Sequence, residues 1–282
     1  MLLSLLAATA AAGLSPTDIV AQAPAEAWRD IAPADLLVMT LADGGTVTIQ
    51  LAPGWAPVHV ANIATFATAR FWDGAGINRV QDNYVVQWGD ATRAAPAAVQ
   101  PTPPAEYQRP LAGTGFRPLG FPDAYARQTG HAGGWPVATD GKGNGWLVHC
   151  YGMVGVGRDM SPDTGTGAEL YAVIGHAPRH LDRNIALVGR VIDGIERLSA
   201  LPRGTDALGI YADAAQHVPI ASIRRGDSGT TAPAWQYLAT DSPTFAAYAT
   251  ARANRQDAFF NLPAGGADIC NVPVPLRRKP GG

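Results

Sequence analysis

Alternation with period two opens the readable part of the chain. Leu36-Leu37-Val38-Met39-Thr40-Leu41 and Thr46-Val47-Thr48-Ile49-Gln50-Leu51 flank Ala42-Asp43-Gly44-Gly45. Two β-prone runs around an Asp-Gly turn predict a hairpin. From Ala56 to Arg70 the period lengthens: Val60, Ile63, Ala64, Phe66 and Ala67 fall on or beside one helical stripe. Pro57 stands near the first turn, where a missing N–H costs nothing. Phe71-Trp72-Asp73-Gly74 breaks the helix. Two short strands around a polar turn follow, over Asn78-Arg79-Val80-Gln81-Asp82-Asn83-Tyr84-Val85-Val86-Gln87-Trp88-Gly89-Asp90. A core strand has no need for Arg79 at one end and Gln87 at the other.

Further along, Gly152-Met153-Val154-Gly155-Val156-Gly157-Arg158, Glu169-Leu170-Tyr171-Ala172-Val173 and Leu187-Val188-Gly189-Arg190-Val191 read as strands, and Ile192 to Leu198 as a short amphipathic helix. The segment from about 91 to 150 reads as an insertion. Its Ala94 to Pro104 part is rich in proline and alanine and is expected to be extended. It either covers the rim of a site or packs on the side of the fold, and packing is the favoured reading. Residues 22–35 read as a linker and residues 203–282 as an extension, with Ile220 onward outside the core fold. Within the extension Ser242 to Phe260 carries Phe245, Tyr248 and Phe259, which suits a helix docked by its aromatics.

Composition narrows the chemistry. The 282 residues carry a formal net charge of −2, so there is no basic footprint for nucleic acid. Counts of 32 Gly and 23 Pro favour strands joined by turns. The only cysteines, Cys150 and Cys270, are far apart, without metal-ligand spacing, and no metal is expected. No HExxH, GxSxG or GxxxxGK[ST] pattern occurs, and no glycine run opens a dinucleotide-binding unit. Leu2 to Ala12 is an apolar run too short to span a bilayer and is followed by small residues, so residues 1–21 read as a secretory leader. The competing reading is a greasy N-terminus with no such role. Export to a periplasmic or extracellular setting would let Cys150 and Cys270 pair; burial as two free thiols is the alternative.

The ordered series of hairpin, helix, aromatic-Asp-Gly turn, Arg79-Val80 and a strand ending Gln87-Trp88-Gly89-Asp90 resembles the cyclophilin-type peptidyl-prolyl isomerases. That family reads Phe-His-Arg-Val, a short loop, and an aromatic-Met-x-Gln-Gly-Gly-Asp run. Gly152 to Arg158, Gly165 to Val173, His180-Leu181-Asp182 and Leu187 to Val191 resemble its later strands, so the likeness spans about residues 36–202. The resemblance implies a mainly β fold: a closed eight-stranded antiparallel barrel capped by two helices, working as a monomer without cofactor on proline-containing polypeptides.

The chemistry it implies is rotation about an X-Pro bond, whose resonance sets a barrier of ~18–20 kcal/mol. In the twisted state the prolyl nitrogen gains a lone pair, and a guanidinium aimed at it favours that state over the planar one. Arg79 is the implied catalytic group, with Gln87 as its partner. Tyr84, Val85, Val156, Gly157, Glu169, Tyr171, His180, Leu181 and Ile185 are the implied peptide-binding residues. Val156-Gly157 stands where the family has Ala-Asn, losing an amide, and Tyr171 replaces the phenylalanine of the proline pocket. A surface pairing of Glu169 with His180 is expected. The altered loop keeps a second reading open, a non-catalytic peptide-binding or chaperone module on the same barrel; a nucleotide-binding enzyme is a weaker third.

Overall fold

The computed structural model describes residues 13–176, 178–229 and 233–281. Helix α1 (Pro16–Ala21) and strand β1 (Trp28–Asp30) precede the predicted hairpin, β2 (Leu36–Leu41) and β3 (Thr46–Leu51). Its turn carries Gly44 at φ 83°, a conformation that glycine adopts without a Cβ penalty. Leu37, Met39, Leu41, Val47, Ile49 and Leu51 point into one core, as period two requires. Helix α2 (Pro57–Thr68) closes one end of that core with Val60, Ile63, Phe66 and Ala67. Its first turn has no capping side chain of its own; the Glu106 carboxylate accepts from the Val58 and His59 N–H groups at 2.9 and 3.0 Å.

Strands β4 (Gly76–Val80) and β5 (Val85–Gly89) follow, and then β6 (Arg109–Pro110), β7 (Arg117–Pro118), β8 (Gln128–Ala132), β9 (Trp135–Thr139) and β10 (Asn144–Leu147). Next come β11 (Met153–Val156), β12 (Glu169–Val173), β13 (Leu187–Asp193), α3 (Ile195–Ser199) and β14 (Val218–Arg225). The chain finishes with β15 (Trp235–Leu238), α4 (Pro243–Ala253) and β16 (Leu276–Arg278). Eight strands close into a barrel in the order β11-β12-β5-β4-β14-β2-β3-β13, every pair antiparallel. Helices α2 and α3 cap it, Leu198 of α3 being fully buried in the barrel core.

The barrel does not end at 202. Strand β14 is its eighth stave, pairing Ile220 with Leu41 on one side and Val218 with Ile77 on the other. Without it β2 and β4 would be open edges, so residues 218–225 belong to the core and not to an extension. The expected linker is also structured: Trp28–Asp30 pairs with β15 in a three-stranded sheet ordered β1-β15-β16. That sheet and α4 enclose their own core of Trp28, Leu238, Phe245, Tyr248, Val272 and Val274. Helix α4 stops at Ala253, and Phe259 lies outside it, 83% exposed. Ile19 and Val20 of α1 pack on this core, while residues 1–12 of the expected leader lie outside the described residues.

The insertion is a five-stranded sheet ordered β6-β10-β9-β8-β7, where sequence suggested a loop. It packs on the barrel flank: Val137, Trp146 and Leu147 share a core with Val85, Met153, Tyr171 and Leu187. Outward-facing Thr48 and Gln50 of β3 are buried too, and buried Arg190 donates to Gln50 and to the Gly134 carbonyl. A disulfide between Cys150 and Cys270 ties the barrel's entry into β11 to the extension.

His131 of β8 is buried between insertion and extension, its Nε2–H donating to the Val272 carbonyl at 2.9 Å and its ring edge-on to Phe245. Burial, aided by Arg190 and opposed by that hydrogen bond, holds its pKa down at about 4 against an ordinary 6.5. The unfolded chain therefore takes up a proton that the fold refuses. Stability is full above pH 6.5 and falls as the pH drops from 6.5 toward 4, by about 3 kcal/mol from this one residue. Urea unfolding from pH 7 to pH 4 checks it. His131→Gln, which keeps a donor but cannot titrate, should lose visibly less stability across that window; parallel curves for the two proteins would refute the assignment.

Candidate functional site

Four strands build the site as one cross-strand row. Register places Arg79 on β4 opposite Gln87 on β5, Gln87 opposite Tyr171 on β12, and Tyr171 opposite Gly155 on β11. Ile77 points into the core with no exposure, and a regular strand would send Arg79 the same way two residues later. A register shift between Ile77 and Arg79 prevents this: the bulge turns the guanidinium out onto the barrel face. At the far end of the row, a Cβ on residue 155 would lie 2.3 Å from the Tyr171 ring and hydroxyl, so only glycine leaves room for that phenol.

The guanidinium is held by three neutral acceptors. Nε donates to the Leu208 carbonyl at 2.7 Å, one terminal nitrogen to Gln87 Oε1 at 3.2 Å, and the other to Gln81 Oε1. Among the described residues no carboxylate pairs with Arg79. Its charge is thus fixed in direction yet uncompensated. The Tyr84 ring lies 5.8 Å from the guanidinium carbon, and burial draws the Arg79 pKa down from its ordinary value while Tyr84 and Tyr171 act the other way. Arginine's high starting value keeps the group charged.

Arg79 and Gln87 share a groove of about 780 Å³ with Tyr84, Val85, Val156, Gly157, Glu169, Tyr171, His180, Leu181 and Ile185, so all eleven residues singled out in the sequence meet on one surface. One expected contact is absent from it. His180 Nε2 lies 3.1 Å from the Tyr84 hydroxyl with the rings stacked. The expected surface pairing of Glu169 with His180 does not form among the described residues, His180 being taken up by Tyr84. Burial raises the Glu169 carboxyl, with the Asn78 and Gln87 hydrogen bonds opposing. Gly157 belongs to the close-packed wall: a Cβ there would come within 3.0 Å of the Glu169 Cβ and 3.4 Å of Gln87 Nε2.

The model of the cyclophilin type peptidyl-prolyl cis-trans isomerase/CLD family matches residues 36–225. The chain belongs to this family. Its enzyme class is peptidyl-prolyl cis–trans isomerase, EC 5.2.1.8. The cyclophilin match runs through β14, in agreement with the closure of the barrel there. Among solved structures the chain is similar to the crystal structure of the cyclophilin AquaCyp293 from Hirschia baltica, with a TM-score of 0.69 and 22% identity over 89% of this chain and 92% of that one. At that identity the likeness is one of fold. A Cryptosporidium parvum cyclophilin type peptidyl-prolyl cis-trans isomerase, crystallised in the presence of the dipeptide Ala-Pro, aligns with a TM-score of 0.42 and 13% identity over 67% of this chain and 98% of that one. No curated protein matches the chain at the level of sequence.

Several residues of this cyclophilin site escape a reading of the sequence. Leu208 contributes a backbone carbonyl from a loop with φ 59°, followed by Gly209 at φ 76°, and a carbonyl leaves no residue signature. Gln81 does have one, since it stands two positions from Arg79 in a polar turn. Trp88 is not a site residue at all. It points into the barrel with no exposure, filling core volume from the side of β5 opposite Gln87. Among the described residues no cluster of three or more His, Cys, Asp or Glu could hold a metal ion.

Proposed function

We propose that the chain turns X-Pro bonds of exported proteins, with Arg79 stabilising the twisted imide and Gln87 holding Arg79 or the substrate carbonyl. The observation that carries this is the charge state of the row. Neutral oxygens orient the guanidinium from three directions and none neutralises it, so its field is kept for charge that develops only as the imide twists. Tyr171 and Val85 offer the apolar wall a proline ring needs beside it. The decisive experiment is an isomerisation assay on an Ala-Pro peptide, comparing wild type with Arg79→Ala.

A module that holds peptides without turning them over is the competing reading, favoured by Gly157, which gives the groove no side-chain amide. Wild type that binds the peptide but leaves its cis–trans rate unchanged would establish that reading instead.

Export is supported by the Cys150–Cys270 disulfide, a bond that persists in oxidising compartments. Because α1 packs on the extension, processing within the small-residue run Ala10-Ala11-Ala12 would leave the fold whole, whereas processing after Ala21 would remove α1. N-terminal sequencing of protein from fractionated cells tests this; unprocessed chain confined to the cytosolic fraction would exclude export.

A further inference from the structure

Behind the proline-pocket wall runs a buried chain of hydrogen bonds that the isomerisation itself does not use. The Tyr171 hydroxyl lies 2.8 Å from His149 Nε2, and the two rings stack within 12°. His149 is fully buried. Asp182 Oδ1 accepts from the His149 backbone N–H at 3.0 Å and faces its Nδ1 at 2.9 Å. In the neutral tautomer that donates Nδ1–H to Asp182, Nε2 offers a lone pair and the Tyr171 hydroxyl is the donor. The other oxygen of Asp182 accepts from Arg179 Nε at 2.7 Å. Arg179 in turn grips Asp123 of the insertion with both terminal nitrogens at 2.9 Å, each side chain 2% exposed. Tyr125, also of the insertion, covers the guanidinium from 5.0 Å.

This chain meets the groove at two places. One is the Tyr171 ring, seated over Gly155 in the groove wall. The other is the 3-10 turn Arg179–Leu181, whose His180 and Leu181 line the groove while Arg179 and Asp182 root the turn from below. A phenylalanine at 171 would need no anchor. A buried phenol does, because an unpaired hydroxyl costs free energy wherever it points. Through Asp123 the insertion therefore reaches the site from behind.

We infer that the insertion positions the peptide-binding half of the site: Asp123, acting through Arg179, Asp182 and His149, sets the seat of Tyr171 and of the His180–Leu181 rim, and so governs how tightly a proline peptide is held. Asp123 and His149 are positioning residues, and Arg79 is left to govern turnover. The inference rests on the reading of this groove as the place where X-Pro bonds are turned.

The test separates KM from kcat on an Ala-Pro peptide. Asp123→Asn keeps the shape and removes the charge; KM should rise about three- to tenfold, the span of one ordinary hydrogen bond, with kcat within about twofold of wild type. Asp123→Glu should recover part of the loss. Tyr171→Phe should raise KM in the same direction, and the double variant should be no worse than the poorer single, because both act through one ring. Unchanged KM in folded Asp123→Asn, or additive effects in the double variant, would overturn the inference.

Wild type alone supplies a second measurement that no folding defect can spoil. With 15N-labelled histidine, saturation by the peptide should move the His149 ring resonances, and resonances that stay in place would count against the inference as decisively. The two proposals fail separately. Wild type without isomerase activity but with shifted His149 resonances sinks the catalytic reading only. Arg79-dependent activity with an unresponsive KM sinks this one only.

Discussion

Replacing Arg79 by alanine should lower kcat/KM for an X-Pro peptide by about 10²–10³-fold and leave the barrel folded. The size follows from the role proposed for the side chain: one preorganised donor aimed at developing charge is worth roughly 2.7–4 kcal/mol in the transition state. The folded state tolerates the loss because Arg79 is only partly buried and all its acceptors are neutral, so no carboxylate is stranded when it goes. Gln87 and Gln81 turn to water, and the Leu208 carbonyl is already near the surface, its residue being 65% exposed. Lysine should rescue little. It restores the charge but not the planar fork that three acceptors grip at once. Circular dichroism melting beside the isomerisation assay checks both halves of the statement. Activity in Arg79→Ala within about threefold of wild type would remove Arg79 from the chemistry.

The second large effect is on stability. Cys150 and Cys270 close a loop of 120 residues, and the chain-entropy cost of an open loop of that size is about 4–5 kcal/mol. Cys150→Ser, or reduction of the wild type, should lower the free energy of unfolding by up to that amount. The loss should show first at the extension, because the bond joins the turn Ile269–Asn271 to the segment leading into β11. Urea titrations of oxidised and reduced protein, read by the fluorescence of Trp28 and Trp235 in the extension sheet and of Trp72 and Trp88 in the barrel, resolve the order. Coincident midpoints before and after reduction would show that the bond constrains nothing the fold does not already hold.

Much of the barrel was legible because period two and period 3.6 are written plainly in β2, β3 and α2. The candidate site residues were legible through family order, since Arg79, Gln87 and Tyr171 keep their places in the series even though they come from three strands. What could not be read has identifiable causes. The bulge beside Asn78 flips Arg79 outward, and no periodicity argument applied to residues 76–80 yields that direction. Strand β14 was missed because Pro219, Arg224 and Arg225 break its alternation and the loop before it separates it from the other staves. β1 has only three residues, too few to show any period, and finds its partner at the opposite end of the chain. The His149–Asp182–Arg179–Asp123 network joins residues scattered from 123 to 182 and becomes visible only when the insertion folds back. Trp88 stands where the family's run has glycine, and is an ordinary core residue once the inward face of β5 is known.

The small sheet of β1, β15 and β16 has a consequence for the order of assembly. Trp28 pairs with Leu238, 210 residues later. At a synthesis rate of roughly 5–20 residues per second, Trp28 waits on the order of 10–40 s for its partner strand to exist. The barrel can close once β14 has emerged, whereas the sheet that gathers the two ends of the chain cannot begin until β15 follows it. The apolar face of Trp28 is thus sheltered only after the groove between β4, β5, β11 and β12 has already formed.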